Sequence, residues 1–159
     1  MAYILYFMLN EPFYDGGLRF SCTRCSSCCR YDSGFVFLSK KDLSLLAAEC
    51  KMEYNKFVKN YCRWVNAENG EQLSLKEKSN FDCIFWDQGC VVYNARPLQC
   101  RNFPFCHSIV CSSQAWKTAA SGCPGINRGI LRHREEIESI LARRVAEPLI
   151  TREAAGGMI

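Results

Sequence analysis

Apolar residues follow a helical spacing over only part of this chain. Leu43, Leu46, Ala47 and Cys50 recur at three and four residues. Tyr54, Phe57, Val58, Tyr61 and Cys62 do the same, with Lys56, Lys59 and Asn60 on the opposite face, so two amphipathic helices are predicted in succession. Ser39 opens the first of them, with Asp42 at the spacing of a capping box. Cys50 and Cys62 fall on the apolar stripes, where a free thiol packs as a small hydrophobe, and both are expected in the core rather than on a metal. Ahead of these helices, Gly34 followed by Phe35, Val36, Phe37 and Leu38 reads as a short buried strand. Behind them, the turn signals Asn69-Gly70 and Ser79-Asn80 surround alternating Leu73 and Leu75. They predict a small antiparallel sheet with strands at 72–76, 83–86 and 90–93, the last two joined by the turn Asp87-Gln88-Gly89.

From Arg96 the periodicity disappears. RPLQCRNFPFCHSIVC fits neither a helix nor a strand template and reads as a wrapped loop, which requires something such as a bound metal to order it. A short helix over Gln114–Ala120, the turn GCPG and a long helix over roughly 128–145 follow, the last facing Ile130, Ile137, Ile140 and Leu141 inward. At the start, the eight apolar residues from Ala2 to Leu9 lack a basic region before them and a small-residue cleavage site after them. They are expected to form a buried strand rather than a secretion signal or a membrane span. Only the AAGGMI tail is expected to be disordered. The pattern predicts one small α+β domain over residues 1–159, with short antiparallel strands and metal-ordered loops packed against three to four helices.

Composition supports that scale. With 159 residues and 48% hydrophobic content, the chain can bury roughly two thirds of its unfolded surface and does not need covalent staples to fold. The formal net charge of +4 arises from 20 basic and 16 acidic residues. Arginine is dense between Arg128 and Arg152, but Glu135, Glu136, Glu138 and Glu147 are interleaved with it, as on an ordinary solvated helix face. That distribution lacks the concentrated basic stripe of a nucleic-acid binder. Neither nucleic acid nor membrane is expected as a partner, and an unidentified protein partner stays open.

Cysteine changes the picture most. There are twelve, four of them in CTRCSSCC as Cys22, Cys25, Cys28 and Cys29. Two cysteines separated by two residues can turn both sulfurs onto one soft-metal centre through a single tight loop. Adjacent cysteines on an extended backbone point to opposite sides, so Cys28 and Cys29 are not expected to complete one tetrahedron. The competing reading is a disulfide framework, which belongs to oxidising compartments and to chains too small to build a core; a reducing, cytoplasmic setting and metal ligation are expected instead. Cys83, Cys90, Cys100, Cys106, Cys111 and Cys123 form a second set in the loop-rich half. His107 and His133 lack an HxxxH spacing or a carboxylate pattern beside them and give little support to a histidine-ligated site. No Ser/His/Asp arrangement, phosphate-binding glycine loop or paired-carboxylate signature is visible, so the sequence indicates ligation and no particular reaction.

CxxCxxCC at Cys22–Cys29, the Leu38-Ser39 helix start, CIF from Cys83, CVVY from Cys90, RPLQCRNFP from Arg96 and CPG from Cys123 follow one another in order. In this the chain resembles the YkgJ-like cysteine-cluster proteins, a zinc- or iron-chelating domain, over residues 20 to about 130. The resemblance implies eight ligands: Cys22, Cys25, Cys28, Cys29, Cys83, Cys90, Cys100 and Cys123. Eight thiolates make two four-sulfur sites, or an iron-sulfur cluster and a zinc, or one site with thiols to spare, and their sulfurs are expected to gather in one or two groups. Cys106 and Cys111 fall outside the family pattern, and Asn127 stands where a glycine is expected after CPGI. Arg96 and Arg101, on either side of Cys100, are expected to offset the negative charge of a four-thiolate site. The resemblance implies a metal-binding protein whose zinc or iron is mainly structural. The alternatives are an iron-sulfur redox or protein-modifying enzyme, by likeness to the cysteine-rich segment of flagellin lysine-N-methylase, and a metal chaperone or sensor working by thiol exchange.

Overall fold

A computed structural model describes residues 11–156. The strand expected at residues 2–9 and the last three residues of the tail lie outside them. In chain order the elements are β1 (Leu18–Phe20), a one-turn 3-10 helix (Ser27–Cys29), α1 (Lys40–Glu49), α2 (Tyr54–Tyr61), β2 (Cys62–Ala67) and β3 (Gly70–Leu75). A second 3-10 turn (Tyr93–Ala95), α3 (Leu98–Asn102), α4 (His107–Val110), α5 (Ser113–Gly122), β4 (Ile126–Arg132) and α6 (Arg134–Ala146) follow. The class is α+β, with antiparallel strand pairs and, among the described residues, four helices of eight residues or more. No described helix is long and apolar enough to cross a membrane. The chain divides into two compact units. The first combines the described part of Met1–Cys25 with Pro104–Arg143, and the second combines Ser26–Phe103 with the described part of Arg144–Ile159.

The second unit is built on the β2–β3 hairpin, registered from Cys62↔Leu75 to Ala67↔Gly70. Gly70 closes the turn at φ 92°, a conformation in which glycine carries no Cβ penalty. Leu38 N donates to Leu73 O and Leu75 N to Val36 O, both at 3.0 Å, so the Phe35–Leu38 segment runs beside β3; it forms the isolated bridge Phe37↔Ser74 rather than the buried strand expected, and Phe35 is exposed. α1 starts where its capping box predicts: Ser39 Oγ accepts from Asp42 N and Asp42 Oδ2 accepts from Ser39 N. Leu38, Leu46, Phe57 and Leu73 are fully buried beneath the helices, with Leu43, Val58, Leu75, Phe85 and Ile150 around them. Each such side chain contributes about 1.5–3 kcal/mol by leaving water. Cys62 is buried in this core and Cys50 packs partly exposed against it, so neither lies apart from the apolar stripe that the helical spacing predicted.

The partner of β3 is β2, not the 83–93 region. There the structure holds only the isolated bridges Glu77↔Cys83 and Trp86↔Cys90, because Phe81, Gln88 and Gly89 take positive φ and turn the chain at each attempt to extend. The 96–111 stretch is likewise not a plain loop, since it forms α3 and α4. Pro97 precedes the first turn of α3, and Leu98 N donates to Asp42 Oδ1 at 2.7 Å, satisfying one orphan donor of the helix start.

In the first unit β1 pairs with β4: Leu18↔Arg132, Arg19↔Leu131, then, after a bulge, Phe20↔Ile126. The final helix therefore begins at Arg134 rather than near 128. Asn127 at φ 66° and Gly129 at φ 73° cannot continue a right-handed helix, and a Cβ on Gly129 would strike the Ser21 side chain. Asn127 stands where a glycine was expected and, being one of the few other residues that tolerate this conformation, keeps the turn. Its Oδ1 accepts from Trp116 Nε1 at 2.8 Å. Tyr14, Phe105, Val110, Trp116, Ile126, Ile137 and Leu141 form the core of this unit.

A candidate metal centre

Cys28 and Cys29 lie on the Ser27–Cys29 turn, which Ser26 enters in the left-handed region at φ 65°. Because the pair sits on a tight turn and not on an extended strand, the two sulfurs do not diverge: they are 3.7 Å apart. This overturns the expectation that adjacent cysteines must face opposite ways. A tetrahedral metal with metal–sulfur bonds of ~2.3 Å places its sulfurs about 3.8 Å from one another, so the two thiols can address one ion.

Two further segments bring cysteines to this turn. Cys83 N donates to Cys29 O at 2.8 Å, tying the two chain stretches together by their backbones. Cys100 is carried by α3, whose first peptide is held by Asp42. Cys28, Cys29, Cys83 and Cys100 line one cavity of about 230 Å³, with Phe35, Phe81 and Phe103 among its apolar walls and Glu77 and Gln99 among its polar ones. Glu77 is already engaged by Ser33 Oγ, Gly34 N and Arg63. Gln99 spends its amide on Phe35 O and Phe37 N.

The electrostatics report how crowded these sulfurs are. The thiol of Cys29, bonded to Cys28, draws Cys28 down to about 7, and the Arg96 guanidinium adds to the pull against burial. Cys29 is driven up by the same bond, then by burial, then by the negative charge of Cys28, Cys100 and Cys83. Burial is the main cause that raises Cys100, reinforced by Cys83, Cys28 and Cys90 and opposed by Arg96. Burial also raises Cys83, with Cys90 and Cys28 contributing. Cys29, Cys83 and Cys100 are thus each raised in part by neighbouring thiolates, and several thiolates can coexist there only with positive charge among them.

The arginines divide the work. Arg96 stacks on Tyr93, 3.5 Å from the ring centroid, and its Nε donates to Tyr93 O, which fixes the guanidinium whose field reaches Cys28 and Cys100. Arg101 lies 3.8 Å from Asp42 Oδ1. Sequence reasoning missed Arg30, directly after Cys29: its Nε donates to the buried Asp82 at 3.1 Å and its guanidinium covers Trp86 at 3.6 Å. Arg30 and Asp82 each adjoin a cysteine, a signal the sequence did contain. It also undervalued Asp42. This fully buried carboxylate caps α1, accepts from Leu98 N and lies within 4 Å of both Arg101 and Arg144.

In the first unit, Cys22 and Cys25 are exposed on a turn in which Arg24, at φ 55°, directs its N–H to Cys22 Sγ at 3.4 Å. Cys123, in the GCPG turn, packs against the core of that unit. Cys106 precedes α4 with its sulfur 3.4 Å from Ser108 Oγ, and Cys111 follows it, exposed, with its thiol toward Ser108 O. The backbone N–H of His133 donates to Glu136 Oε2 at the start of α6. Among the described residues no three or more Cys, His, Asp or Glu side chains stand in a geometry that would grip a metal ion as they are. What the sequence and fold do bring together is a set of soft donors, of which Cys28 and Cys29 have the spacing a thiolate site requires.

The chain is 37% identical over 95 residues to an uncharacterized protein of Methanocaldococcus jannaschii, a match that covers 58% of this chain and 48% of that protein. The chain thus spans about half the length of this curated relative. No solved structure matches it. A family model described as "Putative zinc- or iron-chelating domain" matches residues 21–124, from Ser21 before the first cysteine to Pro124 after the last of the eight, and the chain belongs to this CxxCxxCC family.

Proposed function

We propose that the second unit is a zinc- or iron-binding module whose metal is held by Cys28, Cys29, Cys83 and Cys100 at the wall of an accessible cavity, with Cys90 beside them. One observation carries the reading: four cysteines from three separate stretches of sequence line a single cavity of about 230 Å³. Bound there, a thiophilic dication supplies the positive charge that lets crowded thiolates coexist. The protein's part is to keep that set assembled. The Ser27–Cys29 turn pairs two sulfurs, the Cys29–Cys83 backbone bond docks the third, and Asp42 anchors the helix that carries the fourth. Structural zinc sites are closed, whereas this one faces a cavity with aromatic walls, which favours a centre that a small ligand or a partner's side chain can reach. An iron-sulfur cluster with a redox or protein-modifying role is the second reading, favoured by the fifth thiol, Cys90, within electrostatic range of Cys83 and Cys100.

Anaerobic purification, metal analysis and a visible absorption spectrum test both readings. Stoichiometric zinc in a colourless protein supports the first, and brown protein with iron and labile sulfide supports the second. A Cys83→Ser, Cys100→Ser double variant should lose the metal of the second unit. If it stays folded with the full wild-type metal content, the cavity is not the site.

A further inference from the structure

We propose that the first unit carries its own four-thiolate metal site, in which Cys106 joins Cys22, Cys25 and Cys123. The ligand count opens the argument. Of the eight cysteines implied by the family pattern, Cys28, Cys29, Cys83, Cys90 and Cys100 belong to the second unit, and only Cys22, Cys25 and Cys123 to the first. Three thiolates do not close a tetrahedral site, so a closed site built within the first unit calls for a fourth donor beyond the family set.

The fold brings the right segments together. β1 and β4 are in register at Phe20↔Ile126, and Ser21 N donates to Gly125 O at 3.2 Å. Continued one residue beyond that bond, the antiparallel pairing points Cys22 toward Pro124, the neighbour of Cys123 in sequence. The approach is so close that a Cβ on Gly125 would collide with Ser21 O, which accounts for the glycine of GCPG. The third segment arrives through aromatic packing. Phe20 meets Phe105 edge-to-face at 6.0 Å, and Phe105 stacks on Trp116 in the core against which Cys123 packs. Cys22 and Cys106 therefore follow two residues and one residue after a pair of touching rings. The Cys22–Cys25 turn already has its Arg24 N–H directed at Cys22 Sγ, a bond that a thiolate accepts more strongly than a thiol.

Other donors of this unit fit less well. Cys111 lies at the far end of α4, exposed and turned to the Ser108 carbonyl, and His107 lies inside the helix one residue beyond Cys106. Cys106 is partly buried and has only the weak Ser108 Oγ contact to surrender. A site of four thiolates without an open position suits Zn(II) in a structural role. The first unit has use for it, since β1 has three residues, α4 has four and its core holds seven buried side chains among the described residues.

The reduced full-length chain, loaded with Zn(II), provides the test. Thiol alkylation followed by mass spectrometry should find Cys22, Cys25, Cys106 and Cys123 protected together and released together by a chelator, with Cys111 labelled throughout. Cys106→Ser should lower zinc by about one ion per chain, while Cys111→Ser and His107→Ala should not. Labelling of Cys106 at the rate of Cys111 in the loaded wild type would overturn the assignment, and so would an undiminished zinc content in Cys106→Ser. The cavity cysteines are separated from this outcome by the Cys83→Ser, Cys100→Ser variant, in which the protection of the four thiols should persist.

Discussion

The two units present their cysteines in opposite ways. In the second, the thiols line the wall of a frame made without them: a six-residue-per-strand hairpin, two capped or packed helices and a core of fourteen buried residues, with Asp42 pinning the start of the helix that carries Cys100. In the first, Cys22 and Cys25 are exposed, β1 is three residues long and, among the described residues, the core has seven buried members. The difference teaches which way order flows. Where protein packing already fixes the donors, a metal adds charge compensation to a formed site. Where packing is thin, binding and ordering become one event.

Asp42→Ala strikes hardest at that distinction. It removes a buried carboxylate that caps two helices and faces two arginines, and losing one side of such a network costs about 3–5 kcal/mol. A fall in Tm on the order of 10 °C is expected for a chain of this size, together with weaker metal retention in the second unit. A variant that melts within a couple of degrees of wild type would mean that the frame does not depend on this anchor.

Cys62→Ala comes next. The thiol is buried and distant in role from the cavity, so its loss should cost about 1–2 kcal/mol and leave metal content unchanged. It also predicts a pH effect. Burial pushes the Cys62 thiol up to about 12 from 9.0, so the folded state keeps a proton that the unfolded chain releases earlier. The associated stability is fully present below about pH 9 and declines between pH 9 and 12 at up to about 1.4 kcal/mol per unit. Denaturant unfolding at pH 8 and 10.5 should show a shallower alkaline loss in Cys62→Ala than in wild type; identical slopes would refute the burial account.

The smallest effect sharpens the other side. Trp116→Phe keeps the ring that stacks on Phe105 but deletes the bond to Asn127, a loss of about 0.5–1.5 kcal/mol. Amide exchange in β1 and β4 should respond more to this change after chelation than with zinc bound. An equal response in both states would show that metal does not share in ordering the first unit.

Parts of this arrangement were legible in the sequence because they are local. The Ser39/Asp42 box and the stripe from Leu43 to Cys50 form as spaced, and the turn signalled by Asn69-Gly70 forms one residue earlier, over Glu68 and Asn69, each depending on neighbours within a few residues. β2 was hidden because the apolar spacing of α2 runs through Tyr61 into Cys62 without a breaker, so a strand begins on the residue where the helix ends. The tail of the chain misled for a related reason: Ile130, Ile137 and Leu141 keep helical spacing, while positive φ at Asn127 and Gly129 directs the first of those residues into β4. At the candidate site, residue identity was visible and grouping was not. Nothing local states that Leu98 will borrow a cap from Asp42, fifty-six residues earlier, or that a 3-10 turn will bring two adjacent sulfurs to 3.7 Å.

The distribution of indoles has a practical consequence. Trp64 and Trp86 belong to the second unit and Trp116 to the first. Trp86 lies under the guanidinium of Arg30, next in sequence to Cys29, and Trp116 is hydrogen-bonded to Asn127 in β4, four residues after Cys123. Each unit thus carries an intrinsic fluorophore near its own cysteines. Replacing Trp64 and one of the other two with phenylalanine leaves a single emitter, so that stopped-flow fluorescence can time metal arrival in either unit without an added dye.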